Sequence, residues 1–289
     1  MRGFAPHSFI CEYTLIRKHF LVIGCAKTGT TVVSKTIQSS LQTRHYALEP
    51  KAAGYFEAVA SGSQGHPVVI KILFDHWRGR PRLLNSIIHD ESQCGYGKPL
   101  FIVRDPRAQL ISRLLYVAYH FKNKPAVTAV DKSDWLNFFE RKETDKSYSL
   151  LQLVSDLKDR FQVNVLDGAV AISEGYARTI NSLGKLACPV LRYENFMINE
   201  HQRDFDDTEF QELLAEGPKE VSQDLIRTRR TGGLDDWTSF LSDQADLEFL
   251  NDRFKGCLEA WRYPVKVPIS ASLPEPTKCS KYVSKLLSS

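Results

Sequence analysis

Short runs of consecutive apolar residues alternate with longer segments of helical periodicity along this chain. The runs are HFLVIG at 19–24, VVIKILF at 68–74, PLFIV at 99–103 and CPVLRY at 188–193. Runs of this length are typical of strands buried on both faces of a parallel sheet. Helices are predicted over Thr30–Leu41, Ser147–Phe161 and Asp167–Leu183, the last two within a largely helical region from 113 to 185. The alternation predicts an α/β fold with a central parallel sheet flanked by helices.

The last third of the chain carries one clear helical stripe. Its apolar members predict core packing, and Pro264 ends the run; they are Leu247, Leu250, Phe254, Cys257, Leu258 and Trp261. The segment 268–289 is rich in Ser, Pro and Lys, which predicts a loose C-terminal tail. There is no internal repeat, and 289 residues fit one domain, 1–289, with its core at about 19–263.

Composition narrows the class of protein without naming a function. With 43% apolar and 25% charged residues, the chain is neither disordered nor collagen-like nor a small disulfide scaffold. The net charge of +4 suits an anionic ligand held by a few placed cations and does not indicate nucleic-acid binding. No apolar run reaches transmembrane length, and Glu12, Arg17 and Lys18 argue against a secretory signal. Six cysteines without metal-type spacing predict free thiols in the cytoplasm and no metal site.

The first candidate for chemistry is the glycine-rich segment that follows the first strand. Gly24-Cys25-Ala26-Lys27-Thr28-Gly29-Thr30-Thr31 keeps the glycine spacing and the final Ser/Thr of the phosphate-binding loop G-x-x-x-x-G-K-[ST]. Thr30 stands where the usual lysine would be, and the lysine occurs three residues earlier, as Lys27. The helix N-terminus still predicts an anion cradle. A lysine inside the loop would face the leaving-group side of a bound phosphate rather than a terminal γ-phosphate.

Two further segments carry cations at predicted strand and loop ends. Arg104-Asp105-Pro106-Arg107 follows the third strand, where Asp105 and Pro106 form a good helix start, so Arg104 is placed at the ligand-binding edge of the sheet. Ser112 lies about two turns into that helix. The basic segment 227–237, RTRRTGGLDDW, could fold over an anion. Each segment alone is also compatible with a structural role: a salt bridge of Arg104 with Asp105, or a solvated charge run.

Taken together, in this order and spacing, the segments resemble the sulfotransferases that use 3′-phosphoadenosine 5′-phosphosulfate (PAPS). KTGTT at 27–31 resembles the family's 5′-phosphosulfate loop, RDPR with Ser112 its 3′-phosphate motif, and 230–232 its R-K-G segment. Thr231 departs from lysine there, and Asp235 replaces a glycine. Leu191–Phe196 is similar to the family's Tyr-Glu-Asp segment and brings in Tyr193. The resemblance spans roughly residues 19 to 263.

The resemblance implies a P-loop-like three-layer fold and sulfuryl transfer from PAPS to an acceptor hydroxyl, without a metal. It implies that Lys27 neutralises charge on the departing oxygen. The donor-binding set that it implies is Lys27, Thr28, Gly29, Thr30, Thr31, Arg104, Ser112, Tyr193, Arg230, Thr231 and Gly232.

The sequence gives a weaker signal for the general base that takes the acceptor's proton. Small-molecule sulfotransferases often carry a histidine on the second strand, where this chain has Leu73. Carbohydrate sulfotransferases often use a glutamate about twenty residues after the loop lysine. Glu49 stands at that distance and is the first candidate base, with Lys71 assisting near the sulfuryl group. His76, Glu57 and Asp75 remain alternatives.

A glutamate base favours a carbohydrate, glycolipid or small-molecule alcohol as acceptor over a phenol, which ionises more easily. Neither nucleic-acid binding nor stable membrane insertion is expected. Two other functions stay open. A nucleoside-triphosphate kinase or hydrolase would need a lysine at position 30 and an acidic strand-end residue for Mg²⁺, for which Asp75 and Asp105 are available. A non-catalytic nucleotide-binding protein of the same fold would bind adenosine 3′,5′-bisphosphate without turnover.

Overall fold

The computed structural model describes residues 19–51, 66–77, 79–80, 82, 84, 87–88, 97–183, 188–219 and 233–288. Its strands are β1 His19–Gly24, β2 Tyr46–Leu48, β3 Val68–Leu73, β4 Gly97–Val103 and β5 Val190–Arg192. The helices are α1 Thr30–Ser40, α2 Phe74–Trp77, α3 Pro106–Phe121, α4 Ala129–Thr144, α5 Leu150–Phe161, α6 Val165–Ser182, α7 Tyr193–Met197, α8 Thr208–Leu214, α9 Gln244–Arg253, α10 Lys255–Ala260 and α11 Ser280–Ser288. Short 3₁₀ turns occur at His201–Arg203, Asp236–Phe240 and Pro276–Lys278.

The five strands form one parallel sheet in the order β2-β3-β1-β4-β5. This confirms the predicted α/β fold with a central parallel sheet. After β1 the chain forms β2 and β3 on one side of β1, and it then forms β4 and β5 on the other side. The strand order therefore reverses between β1 and β4. In open α/β sheets the crevice at such a reversal, outside the carboxyl ends of the strands, is where ligands bind.

Alternation along the strands distributes apolar side chains to two faces of the sheet. Leu21 and Ile23 of β1 pack on one face in a cluster with Tyr176 of α6, and Phe20 and Val22 pack on the other with Val33 of α1. β1 is therefore buried on both sides, which explains its uninterrupted hydrophobic run. A third cluster lies among α3, α4, α5 and α11, built on residues such as Leu114, Phe139 and Leu153.

The prediction of a loose tail over 268–289 is wrong for most of that segment. The chain forms the 3₁₀ turn Pro276–Lys278 and then α11, and the apolar side of α11 is buried against α3 and α4. The buried apolar residues here are Cys279, which precedes the helix, and Tyr282, Val283, Leu286 and Leu287 of α11. Their spacing of three and four residues is that of an amphipathic helix, and the Ser and Lys residues between them form its polar side.

The predicted helical stripe near the end of the chain is also divided. It forms two helices, α9 and α10, joined at Phe254, whose φ of −107° departs from helical geometry.

None of the helices in these described ranges is long and apolar enough to cross a membrane.

Candidate functional site

The loop between β1 and α1 has the close packing that its glycines predict. A Cβ at Gly24 would stand 2.6 Å from Oγ1 of Thr28 and 2.6 Å from Cγ2 of Thr30, so no side chain fits there. Gly29 is the N-cap of α1 and has a φ of +86°, in the left-handed region that favours glycine. Lys27 also has a positive φ, +69°, in the same tight turn. The loop thus presents backbone N–H groups at the N-terminus of an eleven-residue helix.

Both polar groups of the Ala26 main chain are held by side chains from neighbouring elements. The N–H of Ala26 donates to Oδ2 of Asp75 at 2.7 Å, and its carbonyl accepts from Nε2 of Gln109 at 2.8 Å. Arg113 of α3 forms an ion pair with Asp75, with 2.7 Å between Nη2 and Oδ1. Asp75 is therefore committed to positioning the loop, which argues against its roles as base or Mg²⁺ ligand.

Arg104 leaves β4 and points across the crevice towards the same loop. Its Nη1 donates to the carbonyl of Lys27 at 3.0 Å, and its guanidinium lies 5.0 Å from the centre of the Tyr193 ring. The residue is only 8% exposed, and its buried Nε has no hydrogen-bond partner. No carboxylate among the described residues forms an ion pair with it. A buried cation without a paired anion has a strong electrostatic preference for an anionic ligand.

Asp105 forms its salt bridge with Arg107, and not with Arg104 as a purely structural role of the motif would require. The Asp105 side chain caps α3 through the N–H of Arg107 and also accepts two hydrogen bonds from the Arg107 guanidinium, at 3.0 and 2.7 Å. Arg107 is fully buried and donates further to the carbonyl of Pro264. This pair fixes the start of α3 and leaves Arg104 available for the crevice.

Tyr193, the first residue of α7, covers the loop from the β5 side. A Cβ at Gly29 would stand 2.1 Å from Cδ2 of the Tyr193 ring. Glu194 follows and joins the same edge of the sheet, because it accepts from the N–H of Asp105 at 3.1 Å and from the hydroxyl of Tyr263 at 2.6 Å. Burial raises the pKa of Glu194, an effect that Tyr263 and Arg104 partly offset.

Lys71 and Glu49 meet on the other side of the loop. Nζ of Lys71 donates to Oε1 of Glu49 at 2.5 Å and to Oγ1 of Thr31 at 2.7 Å. The main chains are also joined, since the N–H of Glu49 donates to the carbonyl of Lys71 at 2.9 Å. Lys71 is 5% exposed, and Glu49 is half-buried with a φ of +50°. A glutamate held in this unfavourable region by its neighbours is a feature typical of functional sites.

The third wall of the crevice consists of aromatic residues of α3. Nζ of Lys27 lies 4.1 Å from the centre of the Tyr116 ring, a cation–π contact. Burial raises the pKa of Tyr116, with smaller contributions from Tyr119 and Glu49, and burial together with the charge of Lys27 lowers the pKa of His120. Tyr116 therefore lies within electrostatic reach of both Lys27 and Glu49.

The structure thus brings together most of the site residues predicted from the sequence. The predicted residues that form the loop or contact it at the carboxyl edge of the sheet are Lys27, Thr28, Gly29, Thr30, Thr31, Glu49, Lys71, Arg104 and Tyr193. Ser112 is buried on α3, one turn before Tyr116 on the same side of the helix. His76 is exposed on α2. Glu57, Arg230, Thr231 and Gly232 lie outside the described residues.

Four residues of α3 contribute here that the sequence motifs did not single out: Gln109, Tyr116, Tyr119 and His120. Tyr116 and His120 follow Ser112 at intervals of four residues, and this spacing is the signal that places them on its side of the helix. Gln109 gives no such signal, because its role depends on a carbonyl far away in the sequence.

Comparison with known proteins adds no identification to this geometry. No protein-family model, no curated protein and no solved structure significantly matches the chain. The resemblance to sulfotransferases rests on the motifs, and the function is argued below from the site itself.

Proposed function

We propose that this protein is a PAPS-dependent sulfotransferase that transfers a sulfuryl group to a hydroxyl of a carbohydrate, glycolipid or small-molecule alcohol. The proposal rests on the presence of two separate cations at the crevice between β1 and β4. One is Lys27, inside the phosphate loop, and the other is Arg104, which is buried beside that loop and forms no ion pair with a carboxylate of the described residues. A donor with separate 5′ and 3′ anionic groups fits two such positions.

On the donor side, the loop residues 28–31 would bind the 5′-phosphate, with the N–H groups of residues 29–31 at the start of α1 as donors, since the N–H of Thr28 already donates to the carbonyl of Cys25. Arg104 and Ser112 would bind the 3′-phosphate, with Arg230, Thr231 and Gly232 as further predicted contacts. Tyr193, whose ring lies against Gly29 and Arg104, would border the nucleoside. The unpartnered Nε of Arg104 supports this assignment, because it is a buried donor that a phosphate oxygen would satisfy.

PAPS supplies a sulfuryl group bonded to phosphate through a bridging oxygen, and this bond breaks as the acceptor oxygen bonds to sulfur. Lys27 would stabilise the charge that grows on the bridging oxygen, and Lys71, held beside Thr31, would add a second positive charge. The acceptor proton would pass to the Glu49 carboxylate. By analogy with phosphoryl transfer, positioning and charge stabilisation are the main demands on the protein.

The kinase or hydrolase alternative has less support from the site. Thr30 occupies the position of the lysine that would contact a γ-phosphate, and both acidic candidates for Mg²⁺ are engaged elsewhere: Asp75 with Ala26 and Arg113, Asp105 with Arg107. For the location of the protein we retain the cytoplasm as a proposal, which agrees with free thiols at Cys25, Cys188 and Cys257.

The test is donor binding measured by thermal unfolding. Adenosine 3′,5′-bisphosphate should raise the melting temperature without Mg²⁺, since a ligand of the native state stabilises it. Arg104→Lys should reduce that shift, because lysine cannot reproduce the two-pronged contact of a guanidinium. Arg178→Lys, the same change at an exposed cation of α6, is the matched control and should leave the shift unchanged. Stabilisation by ATP with Mg²⁺ but not by the bisphosphate would contradict the proposal.

A further inference from the structure

Helix α7, which carries Tyr193 over the phosphate loop, is too short to be stable by itself. It has five residues, Tyr193–Met197, and its N-cap residue makes no side-chain capping hydrogen bond. An isolated helix needs about 12–15 residues to be even marginally stable in water, so the conformation of α7 depends on contacts with the rest of the protein. The contacts that fix α7 also fix the position of the Tyr193 ring.

The buried carboxylate of Asp204 anchors α7 at two points. Its Oδ2 accepts a hydrogen bond from the main-chain N–H of Arg192 at 2.8 Å, and its Oδ1 accepts from Nδ2 of Asn195 at 2.7 Å. The Asp204 side chain is only 4% exposed, and Nε of Arg192 lies 4.0 Å from Oδ1. Arg192 directly precedes Tyr193, and Asn195 follows it by two residues. Asp204 therefore holds the chain on both sides of the tyrosine.

The segment that follows α7 folds back on it and brings Asp204 into place. The N–H of Glu200 donates to the carbonyl of Asn195 at 2.7 Å, and the N–H of Asp204 donates to the carbonyl of His201 at 3.0 Å. His201 is fully buried, and its ring stands edge-on to that of Phe196 in α7, with 6.2 Å between centroids. The anchor and the helix that it holds are thus parts of one packed unit.

The donor site is sensitive to the position of this unit. A Cβ at Gly29 would stand 2.1 Å from the Tyr193 ring, and the Arg104 guanidinium lies 5.0 Å from the centre of that ring. Glu194 accepts from the N–H of Asp105 at 3.1 Å. The first turn of α7 therefore borders both the phosphate loop and Arg104, the two places where the donor's anionic groups are proposed to bind.

We propose that Asp204 is a positioning residue of the donor site, which sets donor affinity by fixing Tyr193 over the phosphate loop and Arg104. It acts through α7 and not by contact with the donor. If the donor binds only when α7 is in place, its apparent dissociation constant rises in inverse proportion to the population of that state. The inference rests on the proposed sulfotransferase function, because it takes the crevice to be the nucleotide site.

The test is the dissociation constant of adenosine 3′,5′-bisphosphate, measured by titration calorimetry well below the melting temperature of each variant. Asp204→Ala removes both hydrogen bonds to α7. We expect it to weaken binding by at least about tenfold, as it would if α7 were in place for a tenth of the time. Asp204→Asn keeps an acceptor for the Arg192 N–H, and rotation of the Asn195 amide restores the second hydrogen bond, so affinity should stay within about threefold of the parent.

The matched control is Asp243→Ala. Asp243 caps α9 by accepting from the N–H groups of Ala245 at 3.0 Å and Asp246 at 3.1 Å, so this variant also loses two hydrogen bonds to a carboxylate. It should lower the melting temperature and leave bisphosphate affinity unchanged. The control separates general loss of stability from loss of the position of α7.

A second set of variants tests the anchor without truncating it, in case Asp204→Ala does not fold. Asn195→Asp sets two carboxylates against each other and should weaken bisphosphate binding, since like charges repel. Adding Asp204→Asn again pairs a donor with an acceptor and should restore the affinity. In a Tyr193→Ala background, Asp204→Ala should change the affinity by less than about twofold, because the residue through which it acts is gone.

The inference is overturned if Asp204→Ala binds the bisphosphate like the parent, or if Asp243→Ala weakens binding equally. It is also overturned if Asp204→Asn does not restore binding in the Asn195→Asp protein, or if Asp204→Ala has its full effect without the Tyr193 ring. No bisphosphate binding by the parent would contradict the proposed function itself. Binding that Asp204→Ala leaves intact removes only the role of Asp204.

Discussion

The two sides of the crevice are built in different ways. On the donor side, the loop at 24–31 is shaped by its own glycines and threonines and covered by Arg104 and Tyr193, and many of its contacts are to the main chain. On the acceptor side, Glu49 follows β2, Lys71 lies in β3 and Tyr116 lies in α3, and their contacts join elements that are far apart in the sequence. The donor side is a local motif, whereas the acceptor side is a product of the tertiary fold.

This difference implies different tolerance to substitution. A change on the donor side disturbs a close-packed loop and should alter stability and donor binding together. A change at Glu49 on the acceptor side removes a partly exposed group and should alter turnover while the fold and donor binding persist. The four predictions that follow test this contrast, from the largest expected effect to the smallest.

Glu49→Gln should lower turnover on the true acceptor by about 10²–10⁴-fold, the range for loss of a general base. The amide keeps the shape of the carboxylate but cannot take a proton. Affinity for adenosine 3′,5′-bisphosphate, measured by titration calorimetry, should stay within about twofold of the parent, because Glu49 acts on the acceptor. Normal turnover by this variant would remove Glu49 as the base. His120, which lies within electrostatic reach of Lys27, would then be the next residue to test, ahead of His76.

Lys27→Ala should lower turnover by about 10²–10³-fold, the cost of losing one preorganised charge that stabilises the departing oxygen. Single-turnover kinetics at saturating donor measures this step directly. Lys51→Ala, which removes an exposed lysine two residues after Glu49, is the control and should retain parental rates. Equal loss in both variants would mean that the general positive charge matters rather than the position of Lys27.

Gly29→Ala should destabilise the protein by about 2–4 kcal/mol, because it combines a positive φ with a Cβ only 2.1 Å from the Tyr193 ring. Urea unfolding gives the free energy of unfolding. The double variant Gly29→Ala with Tyr193→Ala removes the steric overlap and keeps the backbone strain. It should show less than the sum of the two single losses. Strict additivity would indicate that the ring and the loop are energetically independent.

Gln109→Met should have the smallest effect, about 1 kcal/mol or less in the free energy of unfolding. It removes the hydrogen bond to the Ala26 carbonyl, but it also removes the buried Oε1 of Gln109, which has no partner. Bisphosphate affinity should fall only a few-fold, since Asp75 still holds the N–H of Ala26. A loss of more than tenfold would show that the loop depends on both anchors.

The sequence predicts the donor side well and the acceptor side poorly, for a physical reason. The phosphate loop, its flanking strand and α1 depend on neighbouring residues, so spacing alone predicts Gly24–Thr31 at the sheet edge. Strand β2 has only three residues, none of them buried, and the apolar runs do not reveal it. Tyr116 and His120 are marked by helical spacing, but their contact with Lys27 depends on how α3 packs.

The helices also show that features fixed by neighbouring residues are predicted and features fixed by tertiary packing are not. The start of α3 at Pro106 is predicted because Asp105 caps it locally. The C-terminal helix is not predicted, because its composition resembles that of a tail. Only the spacing of the five buried apolar residues between Cys279 and Leu287 indicates an amphipathic helix, which packs against α3 and α4. Composition indicates only the conformation of a segment in isolation, whereas packing against α3 and α4 stabilises this segment as a helix.

The contact of Tyr193 with Gly29 bears on the order of assembly. The loop lies in the first tenth of the chain, yet its cover arrives from a residue about two thirds of the way along. The two meet only after β4 has joined β1 and β5 has joined β4. A refolding chain should therefore acquire its nucleotide affinity late, after most of its secondary structure has formed. Gly29 and Tyr193 should also vary together among relatives, because a larger residue at one position requires a smaller one at the other.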